Sequence, residues 1–176
     1  MIKILFLCHG NICRSVAAEY VMKKLVQDAN LLHLFEIDSA AATREELGNP
    51  IYPPMRKVLE AHNVPIGNHH ARLMRADDYD TFDYLIGMDF ENLCDLNEAY
   101  GKSGNRHVSG YSSGYFRGRV ETTDPENKLS LLLDHAEGMD GEISDPCYTR
   151  DFELAYREIM AGCEGLLKEL TEKEDT

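Results

Sequence analysis

Cys8-His9-Gly10-Asn11-Ile12-Cys13-Arg14-Ser15 follows an apolar run at residues 2–7 and precedes a helical pattern that begins at Val16. A thiol, a flexible glycine, an arginine and a hydroxyl thus stand between a strand and a helix start. Backbone N–H groups point outward at such a junction, and the helix dipole favours an anion there. These residue types suit a thiolate that attacks a phosphate held by Arg14.

Working outward, residues 2–8 read as a buried strand, short, continuously apolar and closed by a Gly-containing turn. From residue 15 to about residue 30, Ala18, Val21, Met22 and Leu25 recur at helical spacing, with Ser15 as the expected cap. Further strands are expected at 35–40, 82–88 and 128–134. Helices are expected at 55–62, from Asp89 with Phe90, Leu93 and Cys94 on one face, and at 151–170. In the last of these, Phe152, Tyr156, Ile159, Cys163, Leu166 and Leu170 form one stripe, and residues 171–176 should fray. Strands alternating with helices indicate a parallel sheet covered on both faces. Ligands bind such sheets at the carboxyl ends of the strands, where the Cys8 loop falls.

The chain of 176 residues is expected to form one domain, residues 1–176, with a Gly-, Ser- and Tyr-rich loop insertion at 101–127. A net charge of −13 argues against nucleic acid or an anionic membrane as partner, since either needs a basic surface. No apolar run approaches the roughly 20 residues that span a bilayer, and the N-terminus lacks a secretory signal pattern, so the expected location is cytoplasmic. Five cysteines without a paired CxxC pattern read as free thiols in a reducing compartment.

A free cysteine has a pKa near 8.5, and a helix N-terminus beside an arginine favours its thiolate. Cys8 is therefore the candidate nucleophile. Arg14, six residues on, can fold back so that its planar fork binds two phosphate oxygens. The five residues between them, His9, Gly10, Asn11, Ile12 and Cys13, fit a loop whose amides point at a common centre. Ser15 can hydrogen-bond the Cys8 sulfur and stabilise it as a leaving group. Asn11 can pin the loop or adopt left-handed geometry. Cys-x5-Arg alone is a weak signal, arising by chance about one time in 20. The full string CxGNxCRS between strand and helix is a strong one.

LFLCHGNICRS, followed by Ala18-Glu19, resembles the signature of the low-molecular-weight protein tyrosine phosphatases. The resemblance spans roughly residues 2–100 and 128–170. It implies a four-stranded parallel sheet of flavodoxin-like type with helices on both faces. It also implies a phosphocysteine intermediate on Cys8, phosphoryl stabilisation by Arg14, and no metal or cofactor. The implied partner is a protein carrying phosphotyrosine, and the implied state a monomer or weak dimer.

The family also places an Asp-Pro general acid far downstream, and this chain has two such pairs. Asp124-Pro125 has no aromatic beside it. Asp145-Pro146-Cys147-Tyr148 precedes the last helix, where the family carries Asp-Pro-Tyr-Tyr, so Asp145 is the choice. Its implied role is to protonate the leaving phenolate and then deprotonate the attacking water; the plainer reading is a turn residue. Ile37-Asp38-Ser39-Ala40 and His69-His70-Ala71-Arg72 also match, implying that Asn11, Ser39 and His69 brace the loop. Adjacent His69 and His70 lack the spacing of a metal site. Met88-Asp89 matches too, implying that Asp89 supports Arg72.

Departures concern the walls of the site. Val16 replaces a common proline, Cys147 replaces the first Tyr of Asp-Pro-Tyr-Tyr, and Glu45 and Glu46 stand where many members carry an aromatic. Tyr148 is then the expected substrate wall, with Tyr52, Tyr111 and Tyr115 as possible substitutes. Ile12 favours phosphotyrosine, since relatives resembling arginine phosphatases carry Thr there. Cys13 is a candidate disulfide partner for an oxidised Cys8, whereas Cys94 and Cys163 read as inert packing. Two other readings are a thiol-based arsenate reductase, which needs two relay cysteines that Cys94 alone does not provide, and a phosphoprotein-binding module without catalysis.

Overall fold

The computed structural model describes residues 1–100, 124 and 126–174. The expected 101–127 insertion, with Tyr111 and Tyr115, lies outside the described residues except for Asp124, Glu126 and Asn127. Four strands, β1 (Ile2–Cys8), β2 (Phe35–Ala41), β3 (Tyr84–Gly87) and β4 (Leu129–Leu131), form one sheet in the order β2-β1-β3-β4. Every neighbouring pair is parallel. The helices are α1 (Arg14–Asp28), α2 (Pro53–Ala61), α3 (Asp78–Thr81), α4 (Phe90–Tyr100), α5 (Pro146–Thr149) and α6 (Phe152–Glu174). This is the α/β, flavodoxin-like arrangement expected from the sequence.

β1 is apolar at every position from Ile4 to Cys8 because both its faces are covered. Ile4 and Phe6 enter a core with α1 and α6, while Leu5 and Leu7 enter a second core with Tyr79, Phe82, Leu85, Leu96 and Tyr100. α1 lies against both the sheet and α6, so every residue from Arg14 to Met22 is buried. The helix ends in a Schellman motif. Asn30 is left-handed, its N–H donates to Gln27 O at 3.0 Å, and Leu31 N–H donates to Val26 O at 2.8 Å.

Several boundaries depart from the sequence expectation, each for a local reason. α1 begins at Arg14, with Cys13 rather than Ser15 at its cap, so Ser15 lies inside the first turn. The fourth strand ends at Leu131, and its apolar run continues as a 3-10 turn, Leu132–His135, packed under α6. Gly162 and Gly165 of α6 permit that approach, since a Cβ on Gly165 would lie 1.8 Å from His135 O. α6 continues as helix past Leu170, where Thr171 Oγ1 bonds Leu167 O and Lys173 pairs with Glu169. α4 buries Asn92, Leu96 and Tyr100, while Phe90, Leu93 and Cys94 are only partly covered. Cys163 is fully buried, and burial pushes its thiol up. No described helix is long and apolar enough to cross a membrane.

Candidate active site

The loop between β1 and α1 leaves the sheet beside the point where chain connections diverge to β2 and β3, the usual ligand crevice of an open α/β sheet. Its carbonyls are tied outward. Cys8 O accepts from Ala42 N at 2.9 Å, His9 O from Thr43 N at 3.1 Å and Ile12 O from Tyr52 N at 2.8 Å. Asn11 O accepts from His69 Nε2 at 2.7 Å. Across a planar trans peptide the next N–H points the opposite way. The amides of His9, Gly10, Ile12 and Cys13 therefore turn toward the loop's interior.

Asn11 holds that shape with a left-handed backbone, φ 58°, the geometry its residue type allows at least cost. Its Nδ2 donates to Ser15 Oγ at 2.9 Å and to Ser39 Oγ at 2.9 Å, and its Oδ1 accepts from Arg72 N at 3.1 Å. Because the Ser15 oxygen already accepts from Asn11, its O–H is free to donate to Cys8 Sγ, 3.0 Å away. Ser39 hands its own O–H to Glu19 Oε2, and Lys23 meets Glu19 Oε1. A directed chain of donors thus runs outward from Asn11, to the sulfur on one side and to a buried carboxylate on the other.

Arg14 is 4% exposed and held by carboxylates on both sides. Nη1 donates to Asp89 Oδ2 at 2.8 Å and to Ile143 O at 3.2 Å, while Nη2 donates to Asp145 Oδ2 at 3.0 Å. Burial works against the guanidinium charge, but Cys8, Asp89 and Asp145 outweigh it and push the Arg14 pKa up. Asp145 is fixed as the cap of α5, its Oδ1 accepting from Cys147 N at 3.0 Å. Asp124 instead accepts from the Tyr79 hydroxyl and from Leu129 N at 2.8 Å, which ties it to the sheet edge.

Comparison with known proteins gives the family. A family model described as low molecular weight phosphotyrosine protein phosphatase matches residues 3–128. The human protein of that name is 35% identical over 167 residues, covering 94% of this chain and 93% of its own. The chain belongs to the low molecular weight phosphotyrosine protein phosphatase family. As a member it is a phosphoric monoester hydrolase. Among solved structures, YfkJ from Bacillus subtilis superposes with a TM-score of 0.83 at 30% identity, covering 98% of this chain and 96% of that one. A Drosophila arginine phosphatase does so with a TM-score of 0.76 at 29% identity, covering 96% and 98%.

Within this phosphatase most of the sequence-derived residues converge. Cys8, the intervening loop, Arg14, Ser15, Ser39, His69 and Asp145 are joined by the contacts above. One expectation is overturned. Asp89 meets Arg14, whereas Arg72 pairs with Asp38 at 2.8 Å and Asp78 at 3.1 Å. The sequence assigned Glu19 no part in the hydrogen bonds that reach Asn11, although an acid on an otherwise buried helical turn is a legible signal. Asp89, expected beside Arg72, meets Arg14 instead, because its position is set by how α4 begins.

The walls carry the family's departures. Tyr148 is 87% exposed and Cys147 is exposed beside Asp145, where burial and that carboxylate push its thiol up. Tyr52 packs on Phe152 with ring centroids 5.8 Å apart. His9 Nε2 meets Glu45 Oε2 at 2.9 Å, and Glu46 Cγ would lie 3.0 Å from a Cβ on Gly10. Cys13 is buried, and burial followed by the charges of Cys8 and Cys147 pushes its thiol strongly up. Among the described residues no three His, Cys, Asp or Glu side chains are grouped to hold a metal ion.

Proposed function

We propose that this chain hydrolyses phosphotyrosine in protein substrates through a phosphocysteine on Cys8. The observation that carries the reading is the Arg14 guanidinium within 3.0 Å of the Asp145 carboxyl at the mouth of the Cys8 loop. A phosphate-binding fork and a proton carrier therefore stand together beside the loop that carries the nucleophile.

In the first step the substrate phosphate takes the place of Asp145 on Arg14 Nη2, Cys8 Sγ attacks phosphorus and the P–O bond to the phenol breaks. Asp145, released from that ion pair and protonated, gives its proton to the departing oxygen. Arg14 and the inward amides receive the equatorial oxygens of the transferring group. In the second step Asp145, now a carboxylate, takes a proton from water as that water attacks phosphorus. Cys8 then leaves as thiolate, stabilised by the Ser15 hydroxyl. Ser39 and His69 brace the loop through Asn11, and Tyr148 serves as the aromatic wall.

The likeness to the arginine phosphatase raises phosphoarginine as a second substrate. The apolar Ile12 favours the aryl ester. Hydrolysis of p-nitrophenyl phosphate, a phosphotyrosine peptide and a phosphoarginine peptide without added metal tests both points. Cys8→Ser should show no turnover. Asp145→Ala should lose most of its rate, with the greatest loss for the poorest leaving group. Equal activity in wild type and Cys8→Ser would end the proposal, and loss in Asp124→Ala but not Asp145→Ala would move the acid. Faster turnover of phosphoarginine than of phosphotyrosine would reverse the substrate assignment.

A further inference from the structure

A cavity of about 280 Å3 lies between the second half of α1 and the edge strand β2, and none of its lining residues belongs to the Cys8 loop. Tyr20, Lys23 and Lys24 share one helix face over Phe35 and Ile37, alternate residues of β2, with exposed Leu32 beside them. The lining holds two lysines and no acid, in a chain with 18 basic and 31 acidic residues. Both ammonium groups are already paired, Lys23 with Glu19 and Lys24 with Asp28, so the lining offers an incoming anion two exchangeable ion-pair donors over an apolar floor. Lys24 pairs with Asp28, whose side chain is 59% exposed, and an exposed pair of that kind costs little to exchange for another anion. The volume sits at the small end of ligand pockets, roughly 300–1,000 Å3.

Lys23 also begins the chain of contacts that ends at the nucleophile. It meets Glu19, which is 5% exposed. Glu19 accepts from Ser39. Asn11 Nδ2 donates to Ser39 and to Ser15 at 2.9 Å each, and Ser15 Oγ lies 3.0 Å from Cys8 Sγ. Tyr20, from the same lining, stands edge-on to His69 at 6.5 Å between ring centroids, and His69 bonds Asn11 O.

We propose that this cavity is an effector site for a small amphipathic carboxylate, a flat apolar body whose anion is met by Lys23 and Lys24, and that its occupation slows the phosphatase reaction. An anion that draws Lys23 outward leaves the buried Glu19 charge without its ion-pair partner, a strongly unfavourable state. The carboxylate then pulls harder on Ser39, and the brace on Asn11 and Ser15 loosens. The effect falls on the shape of the loop around Cys8, so kcat drops while KM changes little. Because the effect is on kcat and not on substrate binding, it requires no matching change in effector affinity when the Cys8 loop is occupied. The kinetic half rests on the phosphatase reading; the binding half stands on the cavity.

The test uses the full chain, isotopically labelled, titrated with 2-naphthoate and with the neutral 2-naphthamide, followed by amide chemical shifts. Saturable shifts centred on Tyr20, Lys24, Leu32 and Ile37 are expected for the carboxylate and much weaker ones for the amide. At saturation the carboxylate should lower kcat on p-nitrophenyl phosphate about fivefold, a rise of roughly 1 kcal/mol in the barrier. Leu32→Glu and Lys24→Glu should retain the wild-type basal rate and lose the response. Lys23→Met should show a lowered basal kcat that the carboxylate no longer changes. No saturable shift, equal binding of the amide, or shifts confined to residues 8–15 with competitive inhibition would overturn the site. Binding with unchanged kcat would overturn the regulation. If wild type fails to hydrolyse the aryl phosphate, the phosphatase reading falls while the titration still judges the cavity.

Discussion

Asp89 Oδ2 accepts from Arg14 Nη1 at 2.8 Å, on the opposite side of the guanidinium from Asp145. Asp89 is itself fixed, since its Oδ1 accepts from Asn92 N at 2.9 Å and its own N–H donates to Asn92 Oδ1 at 3.2 Å. Arg14 is therefore anchored to the start of α4, while Asp145 reaches it from the cap of α5. Hydrogen bonds to charged groups contribute about 1.5–3 kcal/mol. Asp89→Ala should then lower kcat/KM on an aryl phosphate by roughly 10- to 150-fold, and Asp89→Asn, which keeps the cap on α4, should recover part of the loss. Steady-state kinetics decide it, and a kcat/KM for Asp89→Ala close to wild type would show that the anchor is dispensable.

Ser39→Ala removes a hydroxyl that both Asn11 and Glu19 use. Two buried polar groups are left short of a partner, at about 1–3 kcal/mol each. For a chain of this size the midpoint of thermal unfolding should fall by roughly 4–24 °C, and kcat should fall with it as Asn11 loses its hold on the loop. A variant with wild-type stability and rate would remove Ser39 from the brace.

The contrast between Ser15 and Asp89 shows what could be read from the sequence and what could not. The Cys8–Ser15 stretch carries its chemistry within eight consecutive residues, so spacing alone predicts the contact between Ser15 and Cys8. Asp89 and Arg14 are 75 positions apart, and both Arg14 and Arg72 were open to a nearby acid. Only the placement of β3 beside β1 decides between them. The central strand was plain because both its faces are apolar. β4 was overextended because Leu131–Leu133 reads equally well as strand or as the turn that α6 covers. The substrate walls remained least legible, since exposed side chains such as Tyr148 leave no periodic trace.

Gly165 lies where α6 crosses the 3-10 turn after β4. A Cβ there would meet His135 O at 1.8 Å and Ala136 Cα at 3.1 Å, both backbone atoms that cannot rotate away. Gly165→Ala should destabilise the protein by about 3 kcal/mol or more, at the upper end of overpacking, although Ala is the better helix former. The midpoint of thermal unfolding should drop by roughly 6–12 °C. An unchanged midpoint would mean that α6 can lift from the turn at no cost.

Asp95 on α4 carries a pH dependence set mainly by its own burial and the acids around it. Burial pushes its carboxyl up to about 6, the charges of Glu91, Asp89 and Glu98 push the same way, and His9 opposes them. In the unfolded chain an aspartate titrates near 3.9. Between about pH 4 and pH 6 the native state therefore holds a proton that the unfolded state has released, and stability declines as pH rises through that window. Above it the ionised Asp95 is a standing cost, which an amide of the same shape does not incur. Asp95→Asn should raise the unfolding midpoint at pH 7.5 and leave it nearly unchanged at pH 4. Solvent screening of this half-exposed group limits the gain to about 1 kcal/mol, or roughly 2–4 °C. Equal shifts at the two pH values would assign the effect to packing rather than to charge.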